Sequence, residues 1–238
     1  MTVEDYLKMQ RSAYDETARL WSLSHRDPVV GCYDKHNAWE DYDIYLFKDI
    51  PTEGMKALDY GTGPGRNIIK FWNRFAGIDG VDIGAVNLKN AADNLKEAGI
   101  TESHLMLCDG KSIPAPDCSY DMVFSTICLQ HICCYDIRLQ IFKESYRVLK
   151  AGGHFCFQMG YGGRSLGNTD LGVAWYYENV TNARKTNGKY DVSVTDPAQL
   201  RDDLVSIAGF SSMDYDLRPV GPGDKHNNWI FVRAHKGR

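Results

Sequence analysis

Leu58-Asp59-Tyr60-Gly61-Thr62-Gly63-Pro64-Gly65 is the stretch on which the reading of this chain turns. Residues 55–60 before it have the apolar character of a short strand, and residues 67–75 after it have helical spacing. Glycines between a strand and a helix permit a tight bend and let backbone N–H groups come close to a ligand. A glycine turn of this kind also serves plain strand–helix packing, so its neighbours decide its meaning. No Gly-Lys-Ser/Thr follows, which excludes a P-loop. A Gly-x-Gly-x-x-Gly dinucleotide fingerprint starting at Gly61 needs glycine at position 66, and Arg66 stands there.

Working outward, strand and helix signals alternate. Strands are expected at 78–83, 104–108, 120–125 and 154–159, and helices at 85–98 (closed by Gly99) and 135–149, with Gly152-Gly153 opening the fifth strand. Alternation at this period implies βαβ units and a parallel sheet. Upstream, Val3, Tyr6, Leu7 and Tyr14 fall at helical intervals, with acidic residues early and Arg19 late. Asp27-Pro28 breaks that pattern, and 33–47 places Tyr33, His36, Trp39, Tyr42 and Tyr45 three residues apart in a second expected helix. Downstream, a polar, glycine-rich stretch from 160 to about 194 is longer than an ordinary connection and is expected to be a lid or substrate loop. Asp196-Pro197 starts a helix carrying Leu200, Leu204 and Ile207 and stopped by Gly209, and two last strands are expected at 212–218 and 229–234. The expected organisation is a single domain: helical cap 1–50, core 51–159, insertion 160–195, and C-terminal helix and strands 196–238.

Composition narrows the function. At 238 residues the chain exceeds the ~150 of one average domain by enough for embellishments. With 43% hydrophobic residues it can bury enough surface to offset its ordering entropy. A net charge of −4 argues against a nucleic-acid partner, which calls for a basic surplus. No apolar run approaches the ~18 residues of a membrane helix, and the start Met-Thr-Val-Glu-Asp-Tyr lacks the regions of a signal peptide. Seven cysteines without a Cys-x-x-Cys pair point to reduced thiols in a cytoplasmic protein rather than to disulfides or a metal site.

Two acids sharpen the glycine turn. Asp82 ends the second strand, where a carboxylate can accept from ribose hydroxyls, and Asp109 ends the third beside Gly110. With Asp59, three successive strands deliver acids to one rim of the sheet. On Asp59 through Gly65, Gly80-Val81-Asp82, Cys108-Asp109-Gly110, Tyr120-Asp121-Met122-Val123-Phe124-Ser125 and Arg147-Val148-Leu149-Lys150-Ala151-Gly152-Gly153, the chain resembles the class I S-adenosylmethionine-dependent methyltransferases. The resemblance covers 55–159 closely and the tail more loosely. It implies a doubly wound, Rossmann-like α/β fold with seven strands, mostly parallel with an antiparallel last strand, beneath the N-terminal cap. It also implies S-adenosylmethionine as cofactor, with Gly61 and Gly63 lining its methionine part and Asp59 in the same motif. Asp82 would bind the ribose, with Ile83 a further cofactor contact, Asp109 and Gly110 would meet the adenine edge, and Ser125 would wall the sulfonium side. Arg66 departs from the usual loop and either projects to solvent or reaches a substrate anion.

Methyl transfer from a sulfonium is an in-line displacement, so the protein supplies alignment, desolvation and, for hydroxyl or ammonium acceptors, a base. His131, in the segment after the fourth strand, is the expected base, and it is similar to the histidine that acts with a tyrosine in phosphoethanolamine methyltransferases; a packed structural histidine is the competing reading. His36 is the second catalytic candidate. Tyr14, Tyr33, Trp39 and Tyr176 are expected to meet the substrate, since aromatic faces suit a cationic or ammonium group, although each ring also suits plain packing. Arg164 and Arg184 suit an acidic substrate or a solvated surface. A small polar metabolite is expected as acceptor: a sugar, an amino alcohol or an amino acid derivative, methylated on oxygen or nitrogen, with neither nucleic acid nor membrane as partner. The alternatives are a non-catalytic nucleoside-binding regulator and, disfavoured by Arg66, an NAD-dependent oxidoreductase.

Overall fold

A computed structural model describes residues 1–20, 41–162, 173–177, 191–221 and 226–238. Tyr33, His36, Trp39, Arg164 and Arg184 lie outside the described residues.

Helix α1 (Val3–Leu20) opens on reciprocal bonds: the Asp5 N–H donates to Thr2 Oγ1 at 3.1 Å and the Thr2 N–H to Asp5 Oδ2 at 2.9 Å. This capping box satisfies donors that a helix start otherwise leaves open. The expected second helix appears, within the described residues, as the short α2 (Tyr42–Leu46). Then β1 (Lys56–Tyr60), α3 (Arg66–Phe71), β2 (Gly77–Asp82), α4 (Ala85–Glu97), β3 (Leu105–Leu107), β4 (Tyr120–Ser125), α5 (Tyr135–Val148) and β5 (Leu149–Tyr161) alternate as the sequence implies. The chain continues through β6 (Val173–Trp175), β7 (Asp191–Val194), α6 (Pro197–Arg201) with a π-helical continuation Asp202–Ile207, β8 (Ser212–Pro219) and β9 (Asn228–His235).

The seven-strand path runs β3-β2-β1-β4-β5-β9-β8, with β9 antiparallel to both of its neighbours and the strands from β3 to β5 parallel. Successive residues on a strand face opposite sides, and this partitions the core. Leu58, Val123, Phe155 and Phe157 pack with Ile137, Ile141 and Phe142 of α5 and Leu200 and Leu204 beyond β7. Ala57, Met122, Phe124 and Cys156 pack on the other face with Leu46 of α2, Ile68 and Phe71 of α3 and Leu95 of α4. Burial from both sides explains why the central strands are predominantly apolar.

The 160–195 stretch, expected to be a lid or loop, carries two strands. β7 pairs in parallel with β5 at Gly160 and Tyr161 and with β6 over its first three residues. Since β9 already pairs Gly160 and Tyr161 along one edge of β5, β7 takes the other edge. That is the edge β4 vacates when it ends at Ser125 opposite Phe157. β7 therefore prolongs the sheet directly above the end of β4.

Candidate functional site

In an open parallel sheet, ligands bind beyond the carboxyl ends of the strands where the order reverses. Here that point lies between β1 and β4, and a cavity of about 230 Å³ opens there. Its floor is the glycine turn. Gly61, Gly63 and Gly65 have φ of 74°, 54° and 84°, the left-handed region that costs a side-chain-bearing residue energy. Gly61 also leaves no space, since a Cβ there would lie 2.2 Å from Cys128 Sγ in the segment after β4. The turns after β1 and β4 thus touch, and only a residue without a side chain permits it.

Asp82 ties the turn to β2. Its Oδ2 accepts from the Gly63 N–H at 2.8 Å and its Oδ1 from the Gly84 N–H at 2.7 Å. Burial raises its carboxyl above the ordinary carboxylate range, and the bonds from Gly84 and Gly63 oppose that rise. It lines the cavity with Ile83 and Asn87, whose Oδ1 is buried without a hydrogen-bond partner among the described residues. A buried acceptor left open beside a cavity is accounted for by a ligand that donates to it. Asp59 is fully buried at the end of β1, and burial pushes its carboxyl up to about 7 against the lowering effect of Thr62 and Arg66. Gly110 lines the cavity at φ 90°, where a Cβ would strike Ile83 and Leu7.

Three expected cofactor contacts, Asp59, Asp109 and Ser125, do not line the cavity. The Asp109 carboxylate accepts from the Lys111 and Ser112 N–H groups at 2.8 and 2.7 Å and is absent from the cavity wall. Burial pushes its carboxyl up, but the bonds from Ser112 and Lys111 outweigh burial and leave it below the ordinary range. Ser125 is fully buried and donates through Oγ to the Tyr60 carbonyl at 2.8 Å, strapping β4 to β1 below the cavity. Tyr176 is also buried, its ring 4.8 Å from the Arg138 guanidinium and outside the cavity wall. Arg66, by contrast, is 8% exposed and does line the cavity, with Nη2 3.4 Å from Thr126 Oγ1.

The opposite wall holds His131. Ile127 precedes it with φ 51°, an unfavourable value for a β-branched residue, held by a bond from its N–H to Gln158 Oε1 at 2.9 Å. The chain then makes a 3₁₀ turn, Leu129–His131. The His131 carbonyl accepts from Gln10 Nε2 at 2.9 Å and from the Tyr6 hydroxyl at 3.2 Å, both on α1. Tyr14, one helical repeat further along α1, brings its ring centroid to 6.2 Å from that of His131 and lines the cavity. Burial, then the charge of Asp191, raises its hydroxyl well above the ordinary tyrosine value, so Tyr14 stays protonated and can donate. The residue sequence reasoning missed is Asp191: its Oδ1 lies 2.5 Å from His131 Nδ1, and its side chain is 2% exposed. The two are 60 residues apart in the chain, and nothing in the local pattern pairs them. Among the described residues no group of three or more His, Cys, Asp or Glu is arranged to hold a metal ion, and no helix is long and apolar enough to cross a membrane.

The arrangement has known counterparts. The Methyltransferase domain family matches residues 58–157. Sterol methyltransferase-like 1 of Botryococcus braunii is 36% identical over 164 residues, 64% of this chain and 40% of that protein. The ubiquinone/menaquinone biosynthesis C-methyltransferase UbiE of Xanthomonas oryzae pv. oryzae is 27% identical over 157 residues, 64% of this chain and 59% of that protein. The chain thus matches about half the length of these relatives. Among solved structures, phosphoethanolamine N-methyltransferase 2 of Haemonchus contortus, in complex with phosphomonomethylethanolamine and S-adenosylhomocysteine, superposes with a TM-score of 0.71 at 19% identity, covering 100% of this chain and 61% of that one. With the strand order, the positive-φ glycine turn and the strand-end acid already in place, residues 58–157 carry a methyltransferase domain, and over that core the chain is similar to S-adenosylmethionine-dependent methyltransferases.

Proposed function

We propose that this chain transfers a methyl group from S-adenosylmethionine to an oxygen or nitrogen of a small polar metabolite, such as a sugar, an amino alcohol or an amino acid derivative. The observation that carries the proposal is a single cavity with Asp82 and the glycine turn on one wall and His131 with Tyr14 on the other. Gly61 and Gly63 cradle the methionine part of the cofactor, and Asp82 accepts from the ribose hydroxyls. Ile83 and Gly110 bound the adenine. Asp59, Asp109 and Ser125 act from behind, fixing the ends of β1, β3 and β4. When bound, the cofactor supplies a methyl group whose bonding pair leaves with sulfur. His131 takes the acceptor's proton, freeing the lone pair that forms the new bond, and Tyr14 donates to the acceptor to orient it. α1 closes the cavity through Gln10 and Tyr14 and keeps water from the reacting atoms.

The relatives' names include C- and N-methyltransferases, so the acceptor class rests on the site and not on them. The test is calorimetric titration with S-adenosylhomocysteine on the wild type and on Asp82→Ala. Micromolar binding is expected in the wild type. The variant loses a carboxylate that holds Gly63 and Gly84 as well as the ribose, so about a hundredfold weaker binding is expected, at ~1.5–3 kcal/mol per charged hydrogen bond. No binding to the wild type, or equal binding by both, overturns the reading. Screening of hydroxyl and amine metabolites for methyl release then identifies the acceptor.

A further inference from the structure

We propose that Asp191, carried on β7, is the positioning residue that makes His131 a base. It holds the ring as the Nδ1–H tautomer with Nε2 bare. This rests on the methyltransferase reading above and deepens it, because it commits the site to acceptors that must lose a proton, a hydroxyl or an ammonium.

Asp191 Oδ1 lies 2.5 Å from His131 Nδ1, while its Oδ2 lies 3.8 Å from Nε2 of His226, whose side chain is fully buried. His226 Nδ1 is in turn 3.4 Å from Ser193 Oγ on the same strand as Asp191. One buried carboxylate therefore stands between two imidazoles, one of them 24% exposed in the cavity wall. A carboxylate only accepts hydrogen bonds, so a proton of His131 sits on Nδ1, and in the neutral ring the lone pair is then on Nε2. When Nε2 takes a proton, the imidazolium remains bonded to the carboxylate and is stabilised by it.

A purely structural ion pair would have a backbone to hold. Here the 3₁₀ turn is already fixed at the His131 carbonyl by Gln10 and Tyr6, and next to it the Ile132 carbonyl accepts from Arg138 Nη1. The bond from Asp191 is therefore not needed to hold that backbone, and it sets the orientation of the ring. The position of β7 supplies the remaining constraint. Pairing at Gly160 and Tyr161 puts the first residue of β7 over the vacated end of β4, where the segment leading to His131 begins. Proton balance is complete within the site: the acceptor's proton passes to Nε2, its lone pair makes the carbon bond, and the pair of the broken carbon–sulfur bond stays on sulfur.

The test is nitrogen-15 NMR of histidine-labelled protein saturated with S-adenosylhomocysteine, on the wild type and Asp191→Asn. Expected for the wild type are a His131 Nε2 shift typical of an unprotonated nitrogen and a far-downfield Nδ1 proton. In D191N that proton resonance should vanish and the ring should shift towards the other tautomer, with S-adenosylhomocysteine affinity within about twofold of the wild type. A wild-type ring protonated at Nε2, or an unchanged His131 signature in D191N, overturns the proposal. The wild-type spectrum suffices for the first arm even where D191N fails to fold. Absence of S-adenosylhomocysteine binding would instead defeat the methyltransferase reading, and the apo spectrum still reports the tautomer. With an acceptor in hand, D191N should lower kcat by a hundredfold or more, the lower end of the range for a general base, and leave KM for S-adenosylmethionine unchanged.

Discussion

The two walls of the cavity are built by different means. On the side of β1, β2 and β3 the wall is backbone: glycines at positive φ, and the Asp82 carboxylate bonded to N–H groups of the turns on either side of it. Each part lies at a strand end, Asp82 two residues from Gly84 and 19 from Gly63. On the side of β4, β5 and β7 the wall is side chains drawn from afar. His131 is fixed by Tyr6 and Gln10, more than 120 residues earlier, and by Asp191, 60 residues later. A wall made of backbone conformation fits one constant ligand. A wall made of side chains on separate segments can be changed one residue at a time without disturbing the first, so the acceptor is the variable half of this chemistry.

The largest effect should come from breaking the point where the walls meet. Gly61→Ala combines a left-handed φ, costing ~1–2 kcal/mol, with a Cβ placed 2.2 Å from Cys128 Sγ, and overpacking adds ~1–3 kcal/mol. A fall in Tm and at least tenfold weaker S-adenosylhomocysteine binding are expected. Adding Cys128→Ala removes the overlap and leaves the φ penalty, so the double variant should recover part of the lost stability. Calorimetry and thermal melts on the three variants read this directly; a double variant no better than G61A would mean that the two turns are not in contact.

A smaller effect separates charge from shape within the backbone wall. The Asp59 carboxyl is raised to about 7 in the folded chain by burial, against an ordinary 3.8. The unfolded chain therefore releases this proton first as pH rises, and the contribution of Asp59 to stability falls between about pH 4 and pH 7 and is flat above. Asp59→Asn removes that dependence. Urea denaturation at pH 5 and pH 8 should show the wild type losing roughly 2–3 kcal/mol more than D59N on going to the higher pH, from ~1.4 kcal/mol per pH unit. Parallel pH profiles would show that Asp59 titrates normally.

The same division explains what the sequence discloses. β4 is readable to the residue, and α4 within one, because a two-sided apolar run and a glycine stop are local signals. β5 begins five residues before the reading places it. Gly152-Gly153 looks like a break, yet Gly152 at φ 79° lies within the strand, where the pairing of β4 with β5 shifts register. β6 and β7 are three and four residues long and read as loop, since their stability comes from the edge of β5 and not from their own pattern. Asp82 is found from its strand end. Asp109 ends a strand just as visibly, but its carboxylate serves the Asp-Gly turn that follows. Asp191 has no signal of its own; only the fold brings it to His131.

Ser125 gives the smallest effect and the sharpest use of the comparison, because the family resemblance implies the sulfonium side for it and its hydroxyl is instead buried outside the cavity wall. Its hydroxyl donates to the Tyr60 carbonyl at 2.8 Å, binding the end of β4 to the end of β1 across the reversal in strand order. Register pairing of the two strands reaches only Asp59 with Phe124, so this bond extends it by one step to the residue that opens the glycine turn. Ser125→Ala leaves that carbonyl without the side-chain donor and should cost about 1 kcal/mol of stability, the net value of a neutral buried hydrogen bond. Affinity for S-adenosylhomocysteine should stay within about twofold, since the hydroxyl never faces the ligand. A tenfold loss of affinity at unchanged stability would turn the result around and make Ser125 part of the wall itself.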